Sequence, residues 1–553
     1  MNEERFDYVI VGAGSAGCVL ADRLTESGEH SVLLLEFGGS DRSLLIQMPA
    51  ALSYPMNMPR YNWFFYTEPE PHLDGRSLHT PRGKVLGGSS SINGLVYVRG
   101  NPLDFERWAS GGASGWAYRD VLPYFKRTER HDGGGDTYRG GEGKVHTRQG
   151  PLDNPLNHVW LEAGREAGYP LTQDMNGFQQ EGFGRMDMTV GGGRRSSAAN
   201  AYLRPAMRRP NLTVRTHALT TRALFEGRRA LGVVYLRGEE EHVARVRREV
   251  IVSAGPIQSP KLLKLSGVGP AQELSRHGIK VVHDLPGVGE NLQDHLEFYF
   301  QMACTQPVTL YSHTSAFRKA LVGVQWLLTK QGLGASNQFE SGGFIRSRAG
   351  VRYPDIQYHF LPMAVSYDGS SLAQEHGFQA HVGPMRSHSR GWVRLASADP
   401  MEKPKVFFNY LSRPEDFEEM RACVRLTREI FAQPAFAPYR GREIQPGENV
   451  QTDAQIDEFV RQHVESAYHP SCSCKMGRRD DPMAVVDPET RVIGVEGLRV
   501  VDSSIMPSIT TGNLNAPTLM LAEKAADHIR GRAPLPPDDA PYYIAPSWQT
   551  SQR

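Results

Sequence analysis

Residues 6–17 read FDYVIVGAGSAG, and residues 31–36 read SVLLLE. Residues 6–11 form a short apolar run rich in β-branched side chains, the pattern of a strand buried on both faces. A glycine turn over 12–17 follows, then helical spacing over 18–24, then a second apolar run that ends on Glu36. Strand, glycine turn, helix, strand and terminal acid together predict a Rossmann-like dinucleotide site. Gly12 permits the tight turn, Gly14 lets the backbone approach a pyrophosphate, and Gly17 allows close packing of helix on strand. Ser15 and Ala16 open the helix, whose N-terminal N–H groups and dipole favour phosphate. Glu36 is placed to accept hydrogen bonds from a ribose diol and disfavours a 2′-phosphate. This unit does not by itself separate FAD from NAD.

Outside that unit the composition narrows the class. The chain has 553 residues, room for two to three domains or one composite fold. Lys+Arg number 62 and Asp+Glu 61, a formal net charge of +1 that lacks the basic excess of a nucleic-acid binder. Hydrophobic residues at 39% and charged residues at 22% fit a globular protein. Cys18, Cys304, Cys423, Cys472 and Cys474 are too few and too scattered for a disulfide framework. No apolar run reaches the ~18–20 residues that span a bilayer. The start, MNEERFDYVIVGAG, lacks the basic-then-apolar layout of a signal peptide. The expectation is a cytoplasmic protein in a reducing compartment.

Further along, residues 131–143 (HDGGGDTYRGGEG) predict a mobile loop. Residues 213–255 alternate strand-like runs, and 260–266 predict a short helix that stops at Gly267. Residues 298–465 lack glycine fingerprints and carry aromatic-rich strands such as DIQYHF (355–360), a pattern that predicts a separate substrate-facing domain. Residues 516–530 predict an amphipathic helix, and the proline-rich tail from Ala533 predicts an extended or disordered surface segment.

Four segments then act together: PRGKVLGGSSSINGLVYVRGN (81–101), GPIQSPKLLKLSGVG (255–269), AYHPSCSCKMG (467–477) and VVDSSIMPSITTGNLNAPTLMLAEKAA (500–526). They resemble the signatures of the glucose–methanol–choline oxidoreductase family, over nearly the whole chain. Two further stretches, GASNQFESGGFIRSR and EHGFQAHVGPMRSHSRGWVRL, are similar to the bacterial choline dehydrogenases of that family. The resemblance implies an α/β (α+β overall) fold. A Rossmann-like FAD-binding domain would be built from 1–152, 208–297 and 466–535. A discontinuous substrate domain with an antiparallel sheet would take 153–207 and 298–465, leaving 536–553 as an extended tail. It further implies FAD contacts from Arg82, Gly87, Gly88, Ser89, Asn93, Gly94, Asp502 and Asn515. Some relatives attach FAD through a histidine at the position of Ile92; a hydrocarbon side chain cannot make that bond, so the FAD is expected to be non-covalent.

The resemblance also implies the catalytic pair. One histidine among 19 carries no signal alone, but His469 matches the family's base and Asn513 its partner. Alcohol oxidation needs a group that takes a hydroxyl proton as a hydride leaves carbon. A histidine titrates in the right range, and an amide N–H holds the oxygen without competing for the proton. Glu297, in Asp294-His295-Leu296-Glu297, matches an acid that contacts the trimethylammonium group in choline-oxidising relatives. Phe339 and Tyr468 match aromatic positions around that group, and His359 a second pocket histidine. The implied reaction is choline to betaine aldehyde, on the route to glycine betaine. Other primary alcohols stay open, because Ala303 and Cys304 lie where the choline dehydrogenases are expected to be more polar and Gly94 replaces a serine of the choline oxidases, though glycine also fits dehydrogenase-like relatives; an FAD-containing hydroxynitrile lyase is the remoter alternative. The resemblance leans toward a quinone or the respiratory chain as electron acceptor, and with it toward peripheral attachment at the inner membrane; oligomeric state is not readable. Cys472-x-Cys474 is read as no metal site, Arg194-Arg195 and Arg478-Arg479 as solvated surface, and residues 104–108 as ordinary helix packing.

Overall fold

The computed structural model describes residues 3–365 and 375–553. Strand Glu3–Val11 pairs in parallel with Val32–Leu35 on one side and with Glu240–Val252 on the other, and helix Ser15–Thr25 makes the first crossover. The register sets Val11 beside both Leu35 and Val252, so three parallel strands end together at the glycine turn. Residues 8–11 and 32–35 are all buried, which is why their apolar runs do not alternate. Leu212–Arg215 extends the sheet beyond Val32–Leu35, and Leu498–Val500 adds in parallel to the end of Glu240–Val252. Leu219–Glu226 and Arg229–Arg237 complete the seven-stranded sheet as an antiparallel meander. A mostly parallel sheet of this kind leaves its ligand crevice at the carboxyl ends of the strands.

A second seven-stranded sheet is antiparallel. Its order runs Arg440–Gln445, Leu296–Cys304, Gly377–Pro384, Ile356–Leu361, Ser341–Ile345, Gly182–Arg185, with Glu465–Ser466 paired to the start of Leu296–Cys304. Helices Pro155–Glu166 and Pro414–Phe431 pack against it. The core there is aromatic: the Trp160 and Phe360 rings stack at 5.1 Å and Phe378 and Phe436 at 5.0 Å.

Several local expectations need correction. The helix expected from residue 260 runs Gly255–Leu265, because Pro256 sits in its first turn, where a missing N–H costs nothing. The helix expected to be amphipathic, Asn515–Ile529, is buried on nearly every side. It lies against helices Ser15–Thr25 and Tyr118–Thr128, and its inward acid Glu523 pairs with Arg23 and Arg127. The glycine-rich loop 131–143 is pinned rather than loose. Arg139, 2% exposed, ion-pairs with Glu129, Asp174 and Asp187 at 2.7 Å each. The tail lies along the surface, where Asp538 and Tyr543 donate backbone N–H bonds to the carbonyls of Arg119 and Phe178.

Candidate active site

The crevice at the end of the parallel strands opens into one long cavity. It is lined by Gly12, Gly14, Ser15, Ala16 and Glu36 of the first unit, by Arg82, Gly88, Ser89, Asn93 and Gly94, and by Phe339, His359, Tyr468, His469, Asp502, Asn513 and Asn515. Gly17 and Gly87 do not line it. A Cβ on Gly17 would lie 1.9 Å from the Gly12 carbonyl oxygen, so its role is helix–strand packing. Gly87 turns the chain with φ +87° and donates its N–H to Ala13 O at 2.7 Å, joining the two glycine loops.

The glycine turn is shaped for close approach. Gly88 has φ +53°, and a Cβ there would lie 2.7 Å from Gly14 Cα. Ser15 Oγ donates to Asn515 Oδ1 at 2.9 Å, which ties the turn to the helix that follows Asn513. Glu36 accepts the backbone N–H of Ala13 at 3.0 Å and of Gly38 at 2.7 Å, and burial raises its pKa to about 7. Asp502 accepts from Ser259 Oγ at 2.6 Å and from Gly255 N–H at 2.9 Å.

The loop 87–95 is held from behind by Arg195. Its expected place was the surface; it is 1% exposed and donates to the carbonyl oxygens of Ile46 at 2.8 Å and Asn93 at 2.8 Å and to Asn93 Oδ1 at 2.7 Å. Burial lowers its pKa to about 9. An arginine is sequestered here because a loop of small residues leaves carbonyls that need donors from outside it.

His469 and Asn513 meet: Asn513 Nδ2 lies 3.0 Å from His469 Nε2. Two backbone arrangements bring them there. Residues 293–297 and 465–471 run antiparallel, with Leu296 opposite Ser466 and Gln293 bridged to Ser471. Tyr468, at φ +65°, breaks the regular strand just before His469. The Asn513 turn is pinned by Asp104, which accepts Thr511 N–H at 2.6 Å and Thr511 Oγ1 at 3.2 Å. Residues 104–108 are therefore more than helix packing.

Asp294 and His295 hold His469 and were passed over by the sequence reading. Asp294 Oδ1 accepts the His469 backbone N–H at 2.7 Å, and its Oδ2 accepts Tyr410 Oη at 2.6 Å. His295 holds the ring: its Nδ1 lies 3.1 Å from His469 Nδ1 and its Nε2 lies 3.0 Å from Met385 O. A carbonyl oxygen only accepts, so His295 Nε2 carries the proton. Burial pushes the His295 pKa down to about 3, so its ring is neutral and its Nδ1 is an acceptor. His469 Nδ1 then donates, which leaves the lone pair on Nε2, facing Asn513. Burial, then the neighbouring His295, His359 and Arg82, hold the His469 pKa well below the ordinary histidine value. Gln357 Nε2 donates to Asn513 Oδ1 at 3.2 Å, which orients the amide with its N–H toward His469. The signal for this pair was present as adjacent polar residues in a strand-like run.

Phe339 packs edge-on to His359 at 5.8 Å and to His381 at 5.4 Å. Burial lowers the His359 pKa to about 4. Glu297 does not line the cavity. It is 4% exposed and pairs with His381 Nδ1 at 3.2 Å, behind the Phe339 ring.

The family model for GMC oxidoreductase matches residues 6–297 and its C-terminal counterpart residues 387–522. The chain belongs to the GMC oxidoreductase family. An oxygen-dependent choline dehydrogenase from Brucella suis biovar 1 (strain 1330) is 61% identical over 547 residues, covering 99% of this chain and 100% of that one. A protein of the same name from Photobacterium profundum is 58% identical, covering 99% and 97%. Among solved structures, pyridoxine 4-oxidase from Mesorbium loti superposes with TM-score 0.86 at 30% identity, covering 95% of this chain and 99% of that one. A substituted formate oxidase from Aspergillus oryzae RIB40 superposes with TM-score 0.89 at 26% identity, covering 96% and 98%. As a GMC oxidoreductase the chain is an FAD-dependent enzyme that oxidises an alcohol. The cavity fits that cofactor. Gly12, Gly83 and Gly88 on its wall leave no room for a Cβ, Glu36 stands at the end of its strand beside the glycine turn, and the buried Ser253 Oγ on the wall has no partner among the described residues. Ile92 lines the wall at the attachment position and packs with Ile46, Tyr61 and Val85.

Proposed function

We propose that the enzyme oxidises choline to betaine aldehyde, with His469 as base and Asn513 as oxygen holder. The observation that carries the reading is the 3.0 Å contact between Asn513 Nδ2 and His469 Nε2 inside the cofactor cavity. FAD would be held non-covalently by Gly12, Gly14, Ser15, Ala16 and Glu36, by the loop with Arg82, Gly88, Ser89, Asn93 and Gly94, and by Asp502 and Asn515. Bound FAD supplies the acceptor for the hydride that leaves the carbinol carbon. His469 Nε2 takes the hydroxyl proton, and Asn513 Nδ2 donates to the same oxygen as charge builds on it. His295 keeps the receiving lone pair on Nε2 throughout, by accepting from His469 Nδ1. The wall of antiparallel sheet carries the alcohol, which supports dividing the chain into cofactor segments 1–152, 208–297 and 466–535 and substrate segments 153–207 and 298–465.

Choline is favoured by the relatives' name and by a wall of aromatic faces, Phe339 and Tyr468, with the Glu297 carboxylate behind one of them. Aromatic faces and a nearby carboxylate suit a quaternary ammonium. A neutral aliphatic or aromatic alcohol is the second reading, favoured by the withdrawal of Glu297 from the cavity surface. The test is kcat/KM with an artificial acceptor for choline and for 3,3-dimethylbutan-1-ol, its uncharged near-isostere. A strong preference for choline supports the proposal; equal or reversed preference refutes choline and keeps alcohol oxidation. The electron acceptor is proposed to be a quinone or the respiratory chain, with peripheral attachment at the inner membrane. Oxygen, which the relatives' name carries, is the competing acceptor. Hydrogen peroxide released in air at one per choline would overturn the quinone.

A further inference from the structure

Helix Ala316–Thr329 is out of keeping with the rest of the surface. Phe317 is 73% exposed, Leu321 52%, Val324 51%, Leu327 46% and Leu328 80%. Within this helix only Trp326 is buried. At ~100° per residue, Phe317, Leu321, Val324 and Leu328 fall in one narrow stripe diametrically opposite Trp326. Trp326 anchors the helix through its Nε1–H to Gly193 O at 2.7 Å and lies under Lys330 at 4.2 Å. A helix this short with one anchoring side chain and an apolar outer stripe gains little from its own fold.

Along the chain near it the charges have one sign. No Asp or Glu occurs between Glu297 and Glu340, while Arg318, Lys319 and Lys330 lie on or beside the helix. Arg318 and Lys319 are exposed and have no ion-pair partner among the described residues. An apolar stripe with Arg318 at its edge, Lys319 and Lys330 lying nearer the Trp326 side, fits an anionic lipid surface, where the apolar side chains enter the headgroup boundary and the arginine meets phosphate. We infer that Ala316–Thr329 is the element by which this enzyme docks on an anionic phospholipid bilayer, a reading that rests on peripheral attachment and names its surface. The strap after the helix runs straight to the active site. Asn337 Nδ2 donates to Gly94 O at 2.9 Å and Phe339 lines the cavity, so the bilayer contact and the substrate wall share one continuous segment.

The FAD-loaded enzyme would be co-sedimented with vesicles of phosphatidylcholine, with or without phosphatidylglycerol. The expected result is binding that needs phosphatidylglycerol and weakens with salt. Leu328→Ser and Phe317→Ser should each lower the partition coefficient about tenfold. Arg318→Glu should lower it by at least about fivefold, and Lys319→Glu, on the Trp326 side, by less. All four positions are exposed and none touches the cavity, so turnover with a water-soluble acceptor should stay at the parent rate. Variants that bind vesicles as well as the parent would refute the helix and leave peripheral attachment standing. A parent that does not bind refutes both, and choline oxidation stands or falls separately by the soluble-acceptor assay. A parent dimer that Leu328→Ser converts to monomer would overturn the bilayer in favour of a second copy of the chain.

Discussion

Replacing His295 by alanine removes the acceptor of His469 Nδ1–H and leaves the His469 backbone, fastened by Asp294, in place. A buried neutral hydrogen bond contributes about 0.5–1.5 kcal/mol net, and an orphaned buried donor costs about 1–3 kcal/mol. His469 escapes that cost by turning its ring or by moving its proton to Nε2, and in either state the lone pair no longer meets the substrate hydroxyl. At ~1.4 kcal/mol per factor of ten, the limiting rate of flavin reduction should fall about five- to 150-fold. The assay is anaerobic stopped-flow bleaching of the flavin across a range of choline concentrations. Because His295 does not line the cavity, the apparent Kd for choline should change less than the rate does. His295→Gln should recover much of the loss, since its carbonyl can accept from His469 while its amide donates to Met385 O. A purely structural role would instead appear as lost FAD or a lower melting temperature in both variants. An alanine variant with full FAD content and the parent rate would refute the tautomer argument.

Four further outcomes follow from the same contacts. His469→Ala should keep its flavin and lose about 10²–10⁴-fold in flavin reduction, read in the same stopped-flow experiment. The base must be unprotonated, so kcat/KM should fall as pH drops through the His469 pKa; burial holds that pKa down, which puts the acid limb below the ~6.5 of a free histidine. A limb above that value would contradict the burial argument. Acid precipitation should leave the flavin in the supernatant, because Ile92 offers no atom for attachment; a coloured pellet would show a covalent bond elsewhere. Arg139→Met should destabilise by about 3–5 kcal/mol, the cost of stranding a buried charge, since Asp187 loses its arginine and Glu129 is left with Arg99 alone. A thermal melt within a degree of the parent would remove Arg139 from the structural account.

What could be read from the chain, and what could not, divides by the range of the interaction. The glycine turn was legible because each glycine answers a steric demand set by its near neighbours; the 1.9 Å approach awaiting a Cβ at Gly17 is the plainest case. The proposed pair of His469 and Asn513 was reached through motif resemblance, not periodicity, since nothing local distinguishes His469 from a structural histidine. The loop that carries Arg139 was read as mobile and Arg195 as solvated for the same physical reason. Beside glycines an arginine looks solvated, and what buries it comes from Glu129, Asp174 and Asp187 in one case and from the carbonyls of Ile46 and Asn93 in the other. His295 lies deeper still. Its ring matters only because residues 293–297 and 465–471 pair antiparallel, a register no local pattern announces. The support of the base therefore hangs on one strand pairing. Asp294 fixes where His469 sits, and His295 fixes which nitrogen is free. A substitution that slipped this register by one residue would turn both side chains to the opposite face and should abolish proton abstraction while leaving the glycine turn, and with it the flavin, intact.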